Sequence, residues 1–116
     1  MIVITRHIAP DREAWLQAAQ PAVIALSQQV GCISVDVCAA TDQADLMCIV
    51  SRWNSVGDYR RALSSFDVKM NAIPFLSTAI DEPSAYEVAR SVIAGEVTQL
   101  KTHRADDADT FNLGNL

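Results

Sequence analysis

The stretch that decides the fold is Cys32-Ile33-Ser34-Val35-Asp36-Val37-Cys38-Ala39-Ala40, then Thr41-Asp42-Gln43-Ala44-Asp45, then Leu46-Met47-Cys48-Ile49-Val50-Ser51-Arg52-Trp53. Both flanks alternate with the period of two that a strand imposes on its side chains. In the first, Ile33, Val35 and Val37 share a face, and Cys32, Ser34, Asp36 and Cys38 share the other. In the second, Met47, Ile49, Ser51 and Trp53 oppose Leu46, Cys48, Val50 and Arg52. The polar residues between the flanks form a connection of hairpin length.

Upstream, Ile2 to Ile8 reads as strand one, with Ile2, Ile4 and Ile8 against Val3, Thr5 and His7. Pro10 and Asp11 start a helix, and Asp11 and Glu13 suit the positive end of its dipole. Trp15, Ala19, Ala22, Leu26 and Val30 continue at helical spacing, with Pro21 expected to kink the helix and Gly31 to cap it. Downstream, Ser55-Val56-Gly57-Asp58 fits a capping box. Tyr59, Leu63 and Phe66 form the apolar stripe of helix two. Val68 to Ile80 is a second helical piece broken at Pro74, and Asp81-Glu82-Pro83-Ser84 is a turn. Ala85 to Ile93 is expected to be strand four.

The order β-α-β-β-α-β is the ferredoxin-like pattern, an α+β fold with an antiparallel sheet and both helices on one face. Residues 1–93 make this domain, and residues 94–116 are a C-terminal extension expected to pack on a dimer. The second sheet face also carries apolar residues, so a homodimer stacking sheet on sheet is expected.

A chain of 116 residues is the size of one domain and needs no disulfide or metal to build a core. Half of it is apolar and 20% is charged, with mean hydropathy +0.14. The net charge of −5 argues against nucleic acid as a partner, because phosphates are neutralised by basic surfaces. No apolar run approaches the ~20 residues of a membrane span, and no signal peptide is recognised, so a cytoplasmic protein is expected. Cys32, Cys38 and Cys48 contain no C-x-x-C pair and read as buried free thiols. With only His7 and His103, no metal-ligand spacing is present, and no glycine-rich phosphate loop is found.

Trp53-Asn54-Ser55-Val56-Gly57-Asp58-Tyr59-Arg60-Arg61-Ala62-Leu63 resembles the antibiotic biosynthesis monooxygenase family, in which a tryptophan ends strand three before a capped turn and an amphipathic helix. Val30-Gly31-Cys32-Ile33-Ser34 resembles that family's step into strand two, with Val30 in place of proline, and Ile8-Ala9-Pro10-Asp11 is similar to its lead-in to helix one. The resemblance spans about residues 2–93. It implies a dimeric α/β barrel of ferredoxin-like subunits, each with a pocket between helices and sheet. Several members oxygenate polycyclic phenols or quinols without metal or flavin; others degrade haem or isomerise small metabolites. Many carry a histidine on helix two where this chain has Ala62, which removes the haem-ligand reading.

The function expected is a cofactor-independent monooxygenase acting on a small aromatic or quinol-type compound. The alternatives are a non-catalytic dimeric ligand-binding or accessory protein of the same fold and an isomerase that needs no O2. Trp53 offers a flat wall and one N–H donor, or is simply core. Asn54 and Tyr59 can donate to a developing oxyanion, or serve as turn and core residues. His7 supplies a base near neutral pH, or is a hydrogen-bonded structural histidine. Arg6, Arg52 and Arg90 can favour a substrate anion, or form ion pairs with Asp36 or Glu87. Tyr86 shares a face with Arg90 and joins this substrate-binding set.

Overall fold

The computed structural model describes residues 1–100. They form β1 (Ile2–Ile8), α1 (Arg12–Ser27), β2 (Cys32–Ala39), β3 (Leu46–Trp53), α2 (Val56–Ser64), α3 (Phe66–Asn71), α4 (Ile73–Leu76), β4 (Ala85–Tyr86), β5 (Arg90–Ile93) and β6 (Glu96–Gln99). The first four strands make one sheet in the order β2-β3-β1-β4, with every neighbouring pair antiparallel. The α+β ferredoxin-like expectation is met.

Register follows the alternation. Val3, Thr5 and His7 stand opposite Ser51, Ile49 and Met47, and Val35 and Val37 stand opposite Ser51 and Ile49 from the other side. This face meets the helices. Val3, Ala22, Ala25, Leu26, Trp53, Ala62, Val68 and Ala72 form its buried cluster. Small residues on α1 let the helix approach the sheet closely, and three alanines plus Leu26 are its buried positions.

Local signals set the helix ends. Asp11 accepts from the Ala14 amide at 3.1 Å, and Ser55 accepts from the Asp58 amide at 3.1 Å, so both starts are side-chain capped. The Asp58 carboxylate pairs with Arg61 at 2.6 Å. Helix α1 runs through Pro21 and closes at Gln28, whose amide reaches the Ile24 and Leu26 carbonyls. The helix therefore ends before Gly31. That glycine instead turns the chain into β2 with φ +87, and a Cβ there would collide with the Asp58 side chain.

Three expectations are corrected. Phe66 is 79% exposed, because Ser65 ends α2 and recaps a new helix by accepting from the Val68 amide, which turns Phe66 outward. Ala85 to Ile93 is not one strand. Only Ala85 and Tyr86 pair with β1; the chain then leaves the sheet, and Arg90–Ile93 pairs with Glu96–Gln99 in a separate hairpin. Its two-residue turn, Ala94 and Gly95 with φ +51 and +81, is of the kind that suits strand twist. The thiols are not all buried: Cys38 is exposed, and Cys32 and Cys48 are half-buried. The expected packing of residues 101–116, including His103, lies outside the described residues. Among the described residues no helix is long and apolar enough to cross a membrane.

Candidate functional site

Strand β1, helix α1 and the single turn α4 each bring one ring to a common point between sheet and helices. His7 is 1% exposed. Its ring stacks on Phe75 at 5.3 Å between centroids and tilts against Trp15, also at 5.3 Å. Trp15 and Phe75 close the triangle at 5.4 Å. Offset and tilted contacts of this kind are the favourable ones between aromatic rings.

The hydrogen bonds around His7 select a tautomer. Thr78 donates its hydroxyl proton to the Phe75 carbonyl at 2.6 Å, leaving its oxygen as acceptor toward His7 Nδ1 at 3.5 Å. Nδ1 therefore carries the proton, and Nε2 accepts from the Thr5 hydroxyl at 3.0 Å. Burial holds the imidazole pKa below its ordinary value, so the ring is neutral at neutral pH. Beside it, Trp15 Nε1 is buried with no hydrogen-bond partner among the described residues. A buried donor left without an acceptor costs stability, and an acceptor supplied by a ligand removes that cost.

The triangle lies beside a crevice. The Ile80 amide donates to the Arg6 carbonyl at 2.8 Å, and the Ile4 amide donates to the Ser84 carbonyl at 2.7 Å. Between these two ties the chain arches away from β1. The resulting crevice of about 290 Å³ is lined by Thr5, Leu76, Ile80, Asp81 and Glu82, among others. Thr5 thus borders the crevice while contacting His7 Nε2.

Trp53 and Tyr59 form a second aromatic pair, 5.3 Å apart and tilted by 60°. Trp53 is 1% exposed, and its indole N–H is taken by Ser51 Oγ at 2.8 Å. Burial raises the Tyr59 phenol pKa. Asn54 is exposed at the mouth of a smaller crevice of about 180 Å³, with Met1, Ser55, Val56, Glu87, Val88 and Leu100. Trp53 lines neither crevice.

The remaining residues of the expected set sit elsewhere. Arg6 and Arg52 alternate onto the open sheet face, across the sheet from His7 and Trp53. Arg6 is held by Glu82, donating from Nε at 2.7 Å and from Nη2 at 2.6 Å. That partner is neither Asp36 nor Glu87, because the arch after α4 carries Glu82 to the edge of β1. Tyr86 stands opposite Ile2 on the same open face and donates to the Pro83 carbonyl at 2.9 Å. Arg90 is exposed on β5, outside the main sheet. In this chain the histidine and the three arginines therefore do not line a single cavity.

Sequence reasoning placed Trp15 only in a helical stripe and missed Phe75 and Thr78 as neighbours of His7. Pro74 had marked that region as a break. No local pattern announces that one helical turn after a proline returns to the first strand.

The family model for antibiotic biosynthesis monooxygenase matches residues 1–70. No curated protein gives a significant match. Among solved structures, a mutant of SnoaB, a cofactor-independent oxygenase from Streptomyces nogalater, superposes with TM-score 0.59 at 11% identity, covering 90% of this chain and 93% of its own. Rv0793 from Mycobacterium tuberculosis gives TM-score 0.56 at 20% identity, with coverage of 90% and 96%. A conserved protein from Methanosarcina mazei gives TM-score 0.58 at 16% identity, with coverage of 72% and 84%. These likenesses agree on the fold. The match over more than half the chain places this protein in the antibiotic biosynthesis monooxygenase family.

Proposed function

We propose that the protein is a cofactor-independent monooxygenase acting on a small, flat phenol or quinol. The observation that carries this reading is the Thr5 hydroxyl, which borders the crevice and bonds the Nε2 of a buried, neutral imidazole held between Trp15 and Phe75. A small flat ligand enters the crevice lined by Thr5, Leu76 and Ile80, and its oxygen reaches the Thr5 hydroxyl that bonds His7 Nε2. The substrate proton passes through the Thr5 hydroxyl to His7 Nε2, which leaves an electron-rich anion. That anion gives an electron to O2, the two radicals combine to a peroxide anion, and His7 returns its proton through Thr5 to make the hydroperoxide. Loss of water then converts a ring methylene to a carbonyl. Dioxygen supplies one oxygen atom to product and one to water, so no external reductant is required. Trp53 and Tyr59 fill the core at the other end of β3, six residues along the strand from Met47, the partner of His7, and support the fold rather than the site.

The functional unit in this reading is a cytoplasmic homodimer. Ile2, Ile4, Ile8, Leu46, Val50 and Tyr86 alternate onto the open sheet face, and Ile8 is 50% exposed there. A second copy of the same face is the self-complementary cover. The hairpin adds Val92, Ile93 and Val97, each 59% exposed or more. In the dimer the β5–β6 hairpin lies against the partner, and Asn54, Arg52 and Arg90 take part from the rims.

The test is oxygen uptake by chelator-treated protein with a panel of anthrones, naphthols and hydroquinones. Uptake is expected to survive chelation. It should fall by about 10²-fold or more in His7→Gln, the range a lost general base commonly costs, and fall also in Trp15→Phe. No uptake across the panel, with thermal stabilisation by the same compounds, would give the function to ligand binding without turnover.

A further inference from the structure

Cys38 of β2 and Cys48 of β3 are direct cross-strand partners on the open sheet face. The Ala40 amide donates to the Leu46 carbonyl at 3.0 Å, which makes residues 40 and 46 a hydrogen-bonded pair of the ladder. Alternation makes 38 and 48 the next such pair, and pairs of this kind hold their Cα atoms about 5.5 Å apart. That Cα spacing falls inside the roughly 4.4–6.8 Å that a disulfide spans, and closing the bond draws the Cβ atoms in from the roughly 4.5–5.5 Å of a cross-strand pair to about 3.8 Å.

We propose that Cys38 and Cys48 form a redox-active dithiol that exchanges with low-molecular-weight disulfides. This site is separate from the His7 triangle, which lies on the other face of the sheet.

The two thiols differ in a way that assigns their roles. Cys38 is exposed on β2, the edge strand of the sheet, at the margin of the face the proposed dimer would cover. Cys48 is half-buried on β3 between Cys38 and Arg6, its partner on β1. Burial, and then Cys38 itself, push the Cys48 thiol up, while the Arg6 charge opposes them. Cys38 is therefore the attacking thiol and Cys48 the resolving one. The Cys38 thiolate bonds to one sulfur of the small disulfide and expels the other half as a thiolate. The Cys48 thiolate then attacks the Cys38 sulfur, forms the internal disulfide and expels the second half. The two cysteine protons end on the two released thiols, and two electrons pass from protein to small disulfide. Cys32 lies six residues along the same strand, about 20 Å away at the rise of a strand, and does not compete.

The experiment treats the reduced full-length chain with excess oxidised glutathione, quenches with acid, and reads free thiols, intact mass and disulfide-linked peptides. The expected result is a fall from three free thiols to one, two being consumed, with a 38–48 link and a mass lower by two hydrogens. Cys48→Ser should stop at a mixed disulfide on Cys38 and gain one glutathione. Cys38→Ser should lose thiols at least about tenfold more slowly, because the accessible nucleophile is gone. Cys32→Ser keeps both partners, so it should still form the link. Circular dichroism of each variant confirms that the fold is retained. The proposal is overturned if Cys32→Ser fails to form the link while folded. It is equally overturned if the wild-type chain keeps three thiols under excess oxidant, or forms bonds only through Cys32 or between chains.

Discussion

Trp53 donates its indole N–H to the hydroxyl of Ser51, two residues earlier on the same strand, at 2.8 Å, and both residues are at least 97% buried. The period of two puts both side chains on the helix-facing side of β3. The bond lets a large polar-tipped ring fill the core without an unmet donor. Trp15 is its opposite, because its indole N–H is buried without a partner among the described residues.

Ser51→Ala should therefore destabilise the protein by about 1–3 kcal/mol, the cost of leaving a buried donor unsatisfied. Trp53→Ala should cost about 3–5 kcal/mol through the cavity it leaves. The double variant should cost less than the sum, since no orphaned N–H remains. Trp15→Phe removes an N–H that has no partner and should cost less than Trp53→Phe. Urea unfolding of the set measures all of these.

Stability should depend on pH through His7. Its folded-state pKa is lowered by burial from the ordinary 6.5, so the unfolded chain binds the proton more readily. The contribution is fully present above about pH 6.5 and is lost as pH falls below that value toward the folded-state pKa. His7→Phe should flatten this limb. Glu82 acts in a lower window: its hydrogen bond to Arg6 and the Arg6 charge lower its pKa from 4.5, so its share is lost as pH falls below that value. Unfolding midpoints across the pH range, with and without His7, separate the two.

Gly31 and Gly95 both have positive φ but differ in surroundings. A Cβ at Gly31 meets the Asp58 side chain, whereas one at Gly95 meets nothing within 4 Å. Gly95→Ala should cost about 1–2 kcal/mol of backbone strain at most. Gly31→Ala should cost more, because Asp58 must also shift and its pairing with Arg61 is disturbed. Thermal unfolding of the two variants checks the order.

If a second copy covers the open face, Ile8→Lys should shift the protein to monomer. Ile8 is 50% exposed in the protomer, so the lone subunit tolerates the change and the paired face does not. Sedimentation velocity of the wild type and the variant gives the answer. A wild-type monomer at all concentrations would remove the dimer from the reading above.

Much of the fold was legible because its signals are local. The alternation of Ile2–Ile8, Cys32–Ala39 and Leu46–Trp53 fixed three strands and their faces. Asp11 and Ser55 marked helix starts through bonds closed within three residues. The last strand was not legible in the same way. Tyr86 to Ile93 keeps an alternating pattern throughout, but only two residues reach β1, and the rest finds its partner in Glu96–Gln99 across a two-residue turn. An alternating pattern states that a segment is extended, not which edge it will join.

The candidate site divides along the same line. His7 could be named from residue type and position alone, whereas Trp53 and Tyr59, named in the same way, pack in the core at the other end of β3. What surrounds them depends on contacts between residues far apart in the chain: Phe75 and Thr78 at His7, Glu82 at Arg6. The sequence by itself determined the element order as far as the start of α2, the two faces of the central strands and the capped helix starts, because each rests on interactions a few residues apart. Only the tertiary structure decided what Arg6 and His7 meet on those two faces, Glu82 on one and Phe75 with Thr78 on the other. Cross-strand register and helix docking bring distant side chains together, and no local spacing encodes them.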